Sequence, residues 1–305
     1  MYILFVVLSL GTYYSIITCR NSENDIENSI VSIYDQSIKP EYIIVIDDGS
    51  KDSTPTILNR LKQEIPVLHI ITNPDLGYDI TRVPFNYNKA LRYINENNLV
   101  DTDYHMIASD DCIYEKDYAS KVISYMDNNQ DKVFVSGNYE RSKYNVPRGS
   151  GRFVRSSYFK RHHKFYPERM GYETVILYES EMKGYNYAVL DYAKYTHNRA
   201  LGSNHGFSET GPMMKILGYH PLFAFNRFLV YFISGKPIGR KGAIRMLYDF
   251  VFYKPHRNTF DMIYSKELRD HIRKKQLKRL RNVQNKIRTL SRNSLPYRET
   301  TLMEK

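Results

Sequence analysis

The sequence is poor in several features that would place it in a broad class. It has only two cysteines, Cys19 and Cys112, far apart in the chain. Neither a disulfide framework nor a zinc site follows from that spacing, and a reducing, cytoplasmic setting is the default. Long hydrophobic runs are also missing: the apolar start Met1–Leu10 falls well short of the roughly 20 residues a spanning helix needs. It lacks a basic leader and a clear cleavage site, and reads as a buried strand or a peripheral membrane anchor rather than a signal peptide. There is no internal repeat and no low-complexity segment. Basic charge is scarce through most of the chain. Eleven Lys or Arg against two acids between Lys266 and Arg292 supply +9 of the net +11, leaving +2 elsewhere. Nucleic-acid binding by the main domain has little electrostatic support.

What is present is enough for a full core: 305 residues, 42% apolar and 25% charged. From Tyr14 the pattern alternates. Tyr14–Thr18 is β-rich, and Asp25–Asp35 carries Ile26, Ile30, Ile33 and Tyr34 at helical spacing. Tyr42–Ile46 is a near-continuous apolar run that suits a parallel strand covered on both faces. A helix follows over Ser53–Glu64 with Pro55 in its first turn, then a strand at Val67–Thr72, a helix at Pro84–Asn95 and a strand at Tyr104–Ala108. Such alternation predicts an open α/β sheet whose ligands bind beyond the carboxyl ends of the strands. Beyond Gly211, Pro221–Ile233 and Ile238–Tyr253 are aromatic-rich apolar segments interrupted by basic residues, which read as amphipathic helices suited to a membrane interface.

Two acidic turns stand out, Asp47-Asp48-Gly49-Ser50 and Ser109-Asp110-Asp111, each directly after a buried-looking strand. An isolated Asp-Asp pair is more often a turn or a helix cap. Two of them at one sheet edge are harder to dismiss, because converging like charges destabilise a fold unless a cation or hydrogen-bond donors occupy the cleft. Carboxylate oxygens suit Mg²⁺ or Mn²⁺.

The run Tyr14–Thr54, with Thr18-Cys19-Arg20-Asn21, Gln36-Ser37 and Glu41 through Asp47-Asp48-Gly49-Ser50-Lys51-Asp52-Ser53-Thr54, resembles the opening of the family 2 glycosyltransferases of GT-A fold. Ser109–Tyr114 is similar to that family's Asp-x-Asp-type metal motif, with Cys112 where a third polar or acidic residue is more usual. The resemblance implies a GT-A-like (Rossmann-like), mostly parallel sheet flanked by helices over residues 11–210. Its donor half would be about 11–125 and its acceptor half about 126–210, followed by a helical, aromatic-rich and basic region at 211–305. It implies an inverting, metal-dependent transferase taking a sugar from a nucleotide sugar, with a UDP-sugar favoured over GDP- or dTDP-sugars. The acceptor would be a saccharide or a lipid-linked acceptor.

By the same resemblance Thr18, Arg20 and Asn21 line the nucleotide pocket, Asp48 accepts from the base, Asp110 faces the ribose, and Arg82 and Asn88 lie near the donor. Asp111 ligates the metal, and His197 completes its shell or contacts the pyrophosphate. Arg199 is a candidate support for the leaving phosphate on charge alone. Direct displacement also needs a base for the acceptor's proton. Counting back from Gly184-Tyr185 sets Glu173 on the family's catalytic Asp, with Glu179 and Glu181 as fallbacks. Arg148–Phe153 looks like a glycine-containing loop leading to the acceptor region. The basic stretch Lys266–Arg292, with Leu280, Val283, Ile287 and Leu290 on one seam, points to an anionic membrane surface and a peripheral position on its cytoplasmic face. A coiled-coil pairing, a nucleic-acid contact and a solvated helix are its alternatives.

Two other function classes share the α/β pattern. A sugar-phosphate nucleotidyltransferase would show a Gly-rich, basic phosphate loop after the first strand, and Thr18–Glu23 has no glycine. A non-catalytic nucleotide-sugar-binding protein would show no turnover of any donor.

Overall fold

The computed structural model describes residues 10–139, 145–199, 208–256 and 260–293, with side chains as far as Asn282. The expectation for Met1–Leu10 therefore lies outside the described residues except at Leu10. The seam positions Val283, Ile287 and Leu290 lie within the described helical backbone, but their side chains are outside the description.

The chain forms two compact units, up to residue 206 and from 207 onward. In the first, β1 (Tyr13–Cys19), α1 (Ile26–Tyr34), β2 (Ile43–Asp47), α2 (Thr54–Glu64) and β3 (Leu68–Thr72) alternate as the periodicity predicts. They continue into α3 (Val83–Glu96), β4 (Tyr104–Ser109), β5 (Cys112–Tyr114), α4 (Tyr118–Asn128) and β6 (Lys132–Tyr139). β7 (Arg152–Arg155), α5 (Ser156–His162), α6 (Tyr172–Met182) and β8 (Asn186–His197) complete it. The strands make one eight-stranded sheet in the order β3-β2-β1-β4-β7-β6-β8-β5. β3, β2, β1 and β4 run parallel, β7 is antiparallel to both β4 and β6, and β8 is parallel to β6 and antiparallel to β5. The sheet is thus parallel over β3, β2, β1 and β4 and mixed beyond.

Because strand side chains alternate between faces, the apolar runs feed two separate layers. Ile17 and Val45 pack with Ile30 and Ile33 of α1, Leu58 and Leu61 of α2, and Val122 and Met126 of α4. Ile16, Ile44 and Ile46 pack on the other side with Tyr87 and Leu91 of α3, Tyr158 and Phe159 of α5, and Ile176 and Leu177 of α6. A sheet covered on both faces has only its strand ends and edges open to ligands. Arg148–Phe153, read above as a loop, becomes strand at Arg152, whose side chain is fully buried with its guanidinium over the Phe134 ring.

The second unit contains α7 (Thr210–Ile216), α8 (Pro221–Ser234), α9 (Gly239–Phe252) and α10 (Lys266–Asn293). Met214, Leu217, Ala224, Ala243, Met246, Leu268 and Ile272 are buried within it. Gly235, at φ +67°, ends α8 in the left-handed conformation that favours glycine. Among the described residues no helix is long and apolar enough to cross a membrane.

Asn88 serves this architecture. Its Nδ2 donates to the Tyr166 carbonyl and to Glu168 Oε1, both at 2.9 Å, and its Oδ1 accepts from the Tyr166 amide at 2.7 Å. The side chain therefore ties α3 to the segment between α5 and α6. Asn88→Ala would leave the Tyr166 backbone groups unpaired, at a cost of about 1–3 kcal/mol. Urea unfolding of the variant against the unaltered protein should show that loss.

Candidate active site

Parallel register gathers the site. Cys19 pairs with Asp47 and Thr18 with Ser109, so the carboxyl ends of β1, β2 and β4 lie side by side and their following residues share one edge. Thr18 sits there half-buried at the end of β1. Asp47 and Asp48 divide their work. Asp47 Oδ1 accepts from the Ser50 amide at 3.0 Å and its hydroxyl at 2.6 Å, which closes the turn. Gly49, at φ +71°, is required there for a second reason: a Cβ would stand 2.5 Å from the Asp75 Cα.

Asp48 faces the other way and accepts from Arg82 Nε at 2.9 Å and Nη2 at 2.7 Å, and from Asn73 at 3.1 Å. Burial works to raise its pKa, but the hydrogen bonds from Arg82, Asn73 and Asn86 outweigh it and the net shift is downward. Arg20 clamps the same turn, donating to the Asp48 and Gly49 carbonyls and pairing with Asp75 at 2.5 Å. Asn21, at φ +49°, accepts from the Lys51 amide at 2.8 Å and donates from its own amide to Ser50. Arg20, Asn21, Asp48 and Arg82 therefore form one connected wall, and Asn88 is not part of it.

The second acidic turn is arranged differently. Asp110 accepts from the Ser22 hydroxyl and pairs with Arg199 at 2.7 Å. The same guanidinium lies 3.2 Å from Asp25 and 3.6 Å from Asp111 Oδ2. Three carboxylates thus share one arginine, an arrangement the charge-based reading of Arg199 did not anticipate. Burial raises the pKa of Asp110, with Arg199 and Ser22 opposing. Asp111 moves the opposite way: burial would raise it, but hydrogen bonds from His197 and Ser109 hold it at about 2.

The other oxygen of Asp111 looks into a different cluster. Its Oδ1 lies 3.3 Å from His197 Nδ1 and 3.8 Å from Cys112 Sγ, and Cys112 Sγ is 3.2 Å from His197 Nδ1. Register explains the grouping, because Cys112 and His197 are direct cross-strand partners of β5 and β8. These three residues are the described group whose donor atoms converge closely enough to hold a metal ion. Sequence reasoning passed over Cys112, since its partner is remote in the chain and pairing register cannot be read from spacing.

A single short loop joins this cluster to Glu173. Ser150 Oγ lies 3.2 Å from His197 Nε2, and a Cβ on the neighbouring Gly149 would stand 2.0 Å from Glu173 Oε1. Glu173 sits in the first turn of α6 behind Gly171, whose φ of +81° sets the helix start. Of the fallback acids, Glu179 is drawn 3.5 Å from His163, away from this loop.

The family model described as glycosyl transferase family 2 matches residues 15–192. No curated protein matches the chain by sequence. Among solved structures, the fold is similar to that of the mannosyltransferase PcManGT from Pyrobaculum calidifontis in complex with GDP-Man and Mn²⁺. That likeness has a TM-score of 0.54 at 14% identity over 79% of this chain and 70% of that one. S. aureus TarS 1-349 in complex with UDP-GlcNAc is similar at a TM-score of 0.50 and 15% identity, over 79% of this chain and 71% of that one. At such identities the likeness is one of fold, and it is the GT-A architecture expected from the sequence.

Replacing Arg199 tests the charge balance directly. Arg199→Ala leaves Asp25, Asp110 and Asp111 without their shared cation and should cost about 2–4 kcal/mol near neutral pH. The cost should shrink on acidification. Asp110, whose burial raises its pKa, takes up a proton first and removes one of the repelling charges. Urea unfolding of both proteins across the acid range measures this.

Proposed function

Because the chain belongs to glycosyl transferase family 2, we propose that it is an inverting glycosyltransferase that moves a sugar from a nucleotide-sugar donor to a hydroxyl of a saccharide or lipid-linked acceptor. The observation that carries this reading is the Gly149–Ser150 loop. It sets the Glu173 carboxylate against Gly149 and the His197 imidazole against the adjacent Ser150, which supports a base and a metal-binding group acting side by side.

In this reading the Arg20, Asn21, Asp48 and Arg82 wall and Thr18 receive the nucleoside, with Asp48 accepting from the base, and Asp110 turns to the ribose. A UDP-sugar is the first donor to test, with GDP- and dTDP-sugars next. Asp111 and His197 hold Mg²⁺ or Mn²⁺. The donor set fits a divalent cation, since a carboxylate oxygen and an imidazole nitrogen stand 3.3 Å apart. Once bound, such an ion supplies positive charge at the donor's diphosphate.

The remaining chemistry belongs to the chain. Glu173 takes the proton from the acceptor hydroxyl as its oxygen bonds to the anomeric carbon, and the bond from that carbon to the diphosphate oxygen breaks on the opposite face. Arg199 gives the departing diphosphate a guanidinium partner in exchange for its carboxylates.

The C-terminal unit suits peripheral attachment to the cytoplasmic face of a membrane. Leu222, Phe225 and Ile233 of α8 and Ile244, Tyr248 and Phe252 of α9 are exposed. Arg240, Lys241 and Arg245 are exposed on the same pair of helices. Apolar side chains beside basic ones favour an anionic bilayer surface.

Two measurements test these readings. Glu173→Ala should keep metal-dependent thermal stabilisation by the accepted donor while transfer falls by about 10²–10⁴-fold. Unchanged turnover would remove Glu173 from the mechanism, and no stabilisation by any UDP-, GDP- or dTDP-sugar would refute the donor pocket. For the membrane, Leu222→Ser with Ile233→Ser and Phe252→Ser should reduce flotation with phosphatidylserine-containing vesicles. Flotation equal to that of the unaltered protein would count against these helices.

A further inference from the structure

We propose that Cys112 is a third protein ligand of the cation held by Asp111 and His197, and that its thiolate tunes the centre toward Zn²⁺ or Co²⁺ and away from Mg²⁺. The proposal rests on the metal reading given above and goes beyond it in both ligand set and ion preference.

Placement comes first. Cys112 lies in β5 with its side chain directed inward, while Ile113 beside it is 37% exposed. The antiparallel register puts Cys112 opposite His197, so thiol and imidazole project from the same face. The three donor atoms form a triangle with edges of 3.2, 3.3 and 3.8 Å. Bonds of about 2.0 Å to nitrogen and oxygen and about 2.3 Å to sulfur, in tetrahedral geometry, give donor separations of about 3.3–3.6 Å. The observed edges lie within about 0.3 Å of one face of such a tetrahedron. Its fourth corner remains for a donor oxygen.

The orientation of His197 agrees. Ser150 Oγ engages Nε2, which directs Nδ1 toward Asp111 and Cys112. Metal-binding histidines are held this way through the nitrogen that does not ligate. Ser109 donates to the ligating oxygen of Asp111 at 2.6 Å and fixes that carboxylate as well. The donor set then decides preference, because a soft thiolate beside an imidazole favours zinc-like cations whereas Mg²⁺ prefers oxygen ligands. On binding, the Cys112 thiol releases its proton to solvent and the sulfur bonds the ion as thiolate.

Cobalt is the probe. Wild-type protein titrated with Co²⁺ should develop a near-ultraviolet thiolate-to-cobalt charge-transfer band and the intense visible bands of a four-coordinate centre. Cys112→Ser should lose the charge-transfer band yet still bind Co²⁺ through Asp111 and His197, and its preference for Zn²⁺ over Mg²⁺, read by competition with a chelating dye, should fall about 10-fold or more. Cys19→Ser should retain the band. Should Cys112→Ser fold poorly, the ¹¹³Cd chemical shift of the wild-type protein gives the same answer, moving downfield with a sulfur ligand. A Co²⁺-loaded wild type without the charge-transfer band overturns the role of Cys112 and leaves the Asp111–His197 site standing. Sugar transfer by wild type that takes up no divalent cation overturns both.

Discussion

Carboxylates crowd one edge of this sheet, and the fold survives because each is met by a cation or a donor. Two carboxylates about 5 Å apart repel by about 3 kcal/mol at the effective dielectric typical of a partly buried site. Left unbalanced, a few such pairs would consume much of a domain's stability. The balance comes from separate stretches of chain. Arg82 takes Asp48, Arg20 and Lys51 take Asp75, and Arg199 takes Asp25, Asp110 and Asp111. Parallel pairing of β1, β2 and β4 creates the crowding in the first place, since it aligns the strand ends from which these acids leave.

The two acidic turns answer the constraint in different ways, and the difference bears on function. In the first, Asp47 is spent on its own turn and Asp48 on a bidentate arginine, giving a rigid wall with directional donors and acceptors. In the second, Asp110 is pushed toward neutrality by burial while Asp111 is kept ionised by His197 and Ser109. Neighbouring groups whose environments drive their pKa values apart suit different roles. A recognition surface gains from the first arrangement. On the reading proposed above, a centre that accepts a cation and then a phosphate gains from the second, where Arg199 would exchange partners.

Strands and helices with strong periodicity were readable to within a residue or two. The Tyr42–Ile46 run lies over β2, and the pattern at Asp25–Asp35 over α1. Shorter or charged elements were not. β5 has three residues, too few for any period, and β7 begins and ends with arginine. β8 extends from Asn186 to His197 although the apolar signal covers only Tyr187–Leu190, because Asp191 and Tyr192 are exposed and interrupt it. For the site, an acid directly after an apolar strand was enough to place Asp48, Asp110 and Asp111 at the carboxyl edge. The Arg199–Asp25 and Cys112–His197 pairings were invisible, because each joins distant segments, the second through a register that only the folded sheet defines. The bonds from Asn88 to the Tyr166 backbone were equally invisible, as an amide on a helix gives no sign that a backbone segment from beyond β7 will claim it.

The pairing of β5 with β8 has a consequence for how the chain can vary. The long stretch between Cys112 and His197 can gain or lose loop residues without disturbing their apposition, because cross-strand pairing resets the geometry locally. Between Ser109 and Tyr114 there is no such freedom. Deleting one residue there would turn the outward Ile113 face inward and carry the thiol out of the cluster. Length variation among descendants of this sequence should therefore be tolerated between β5 and β8 and absent from the five bonds that follow β4.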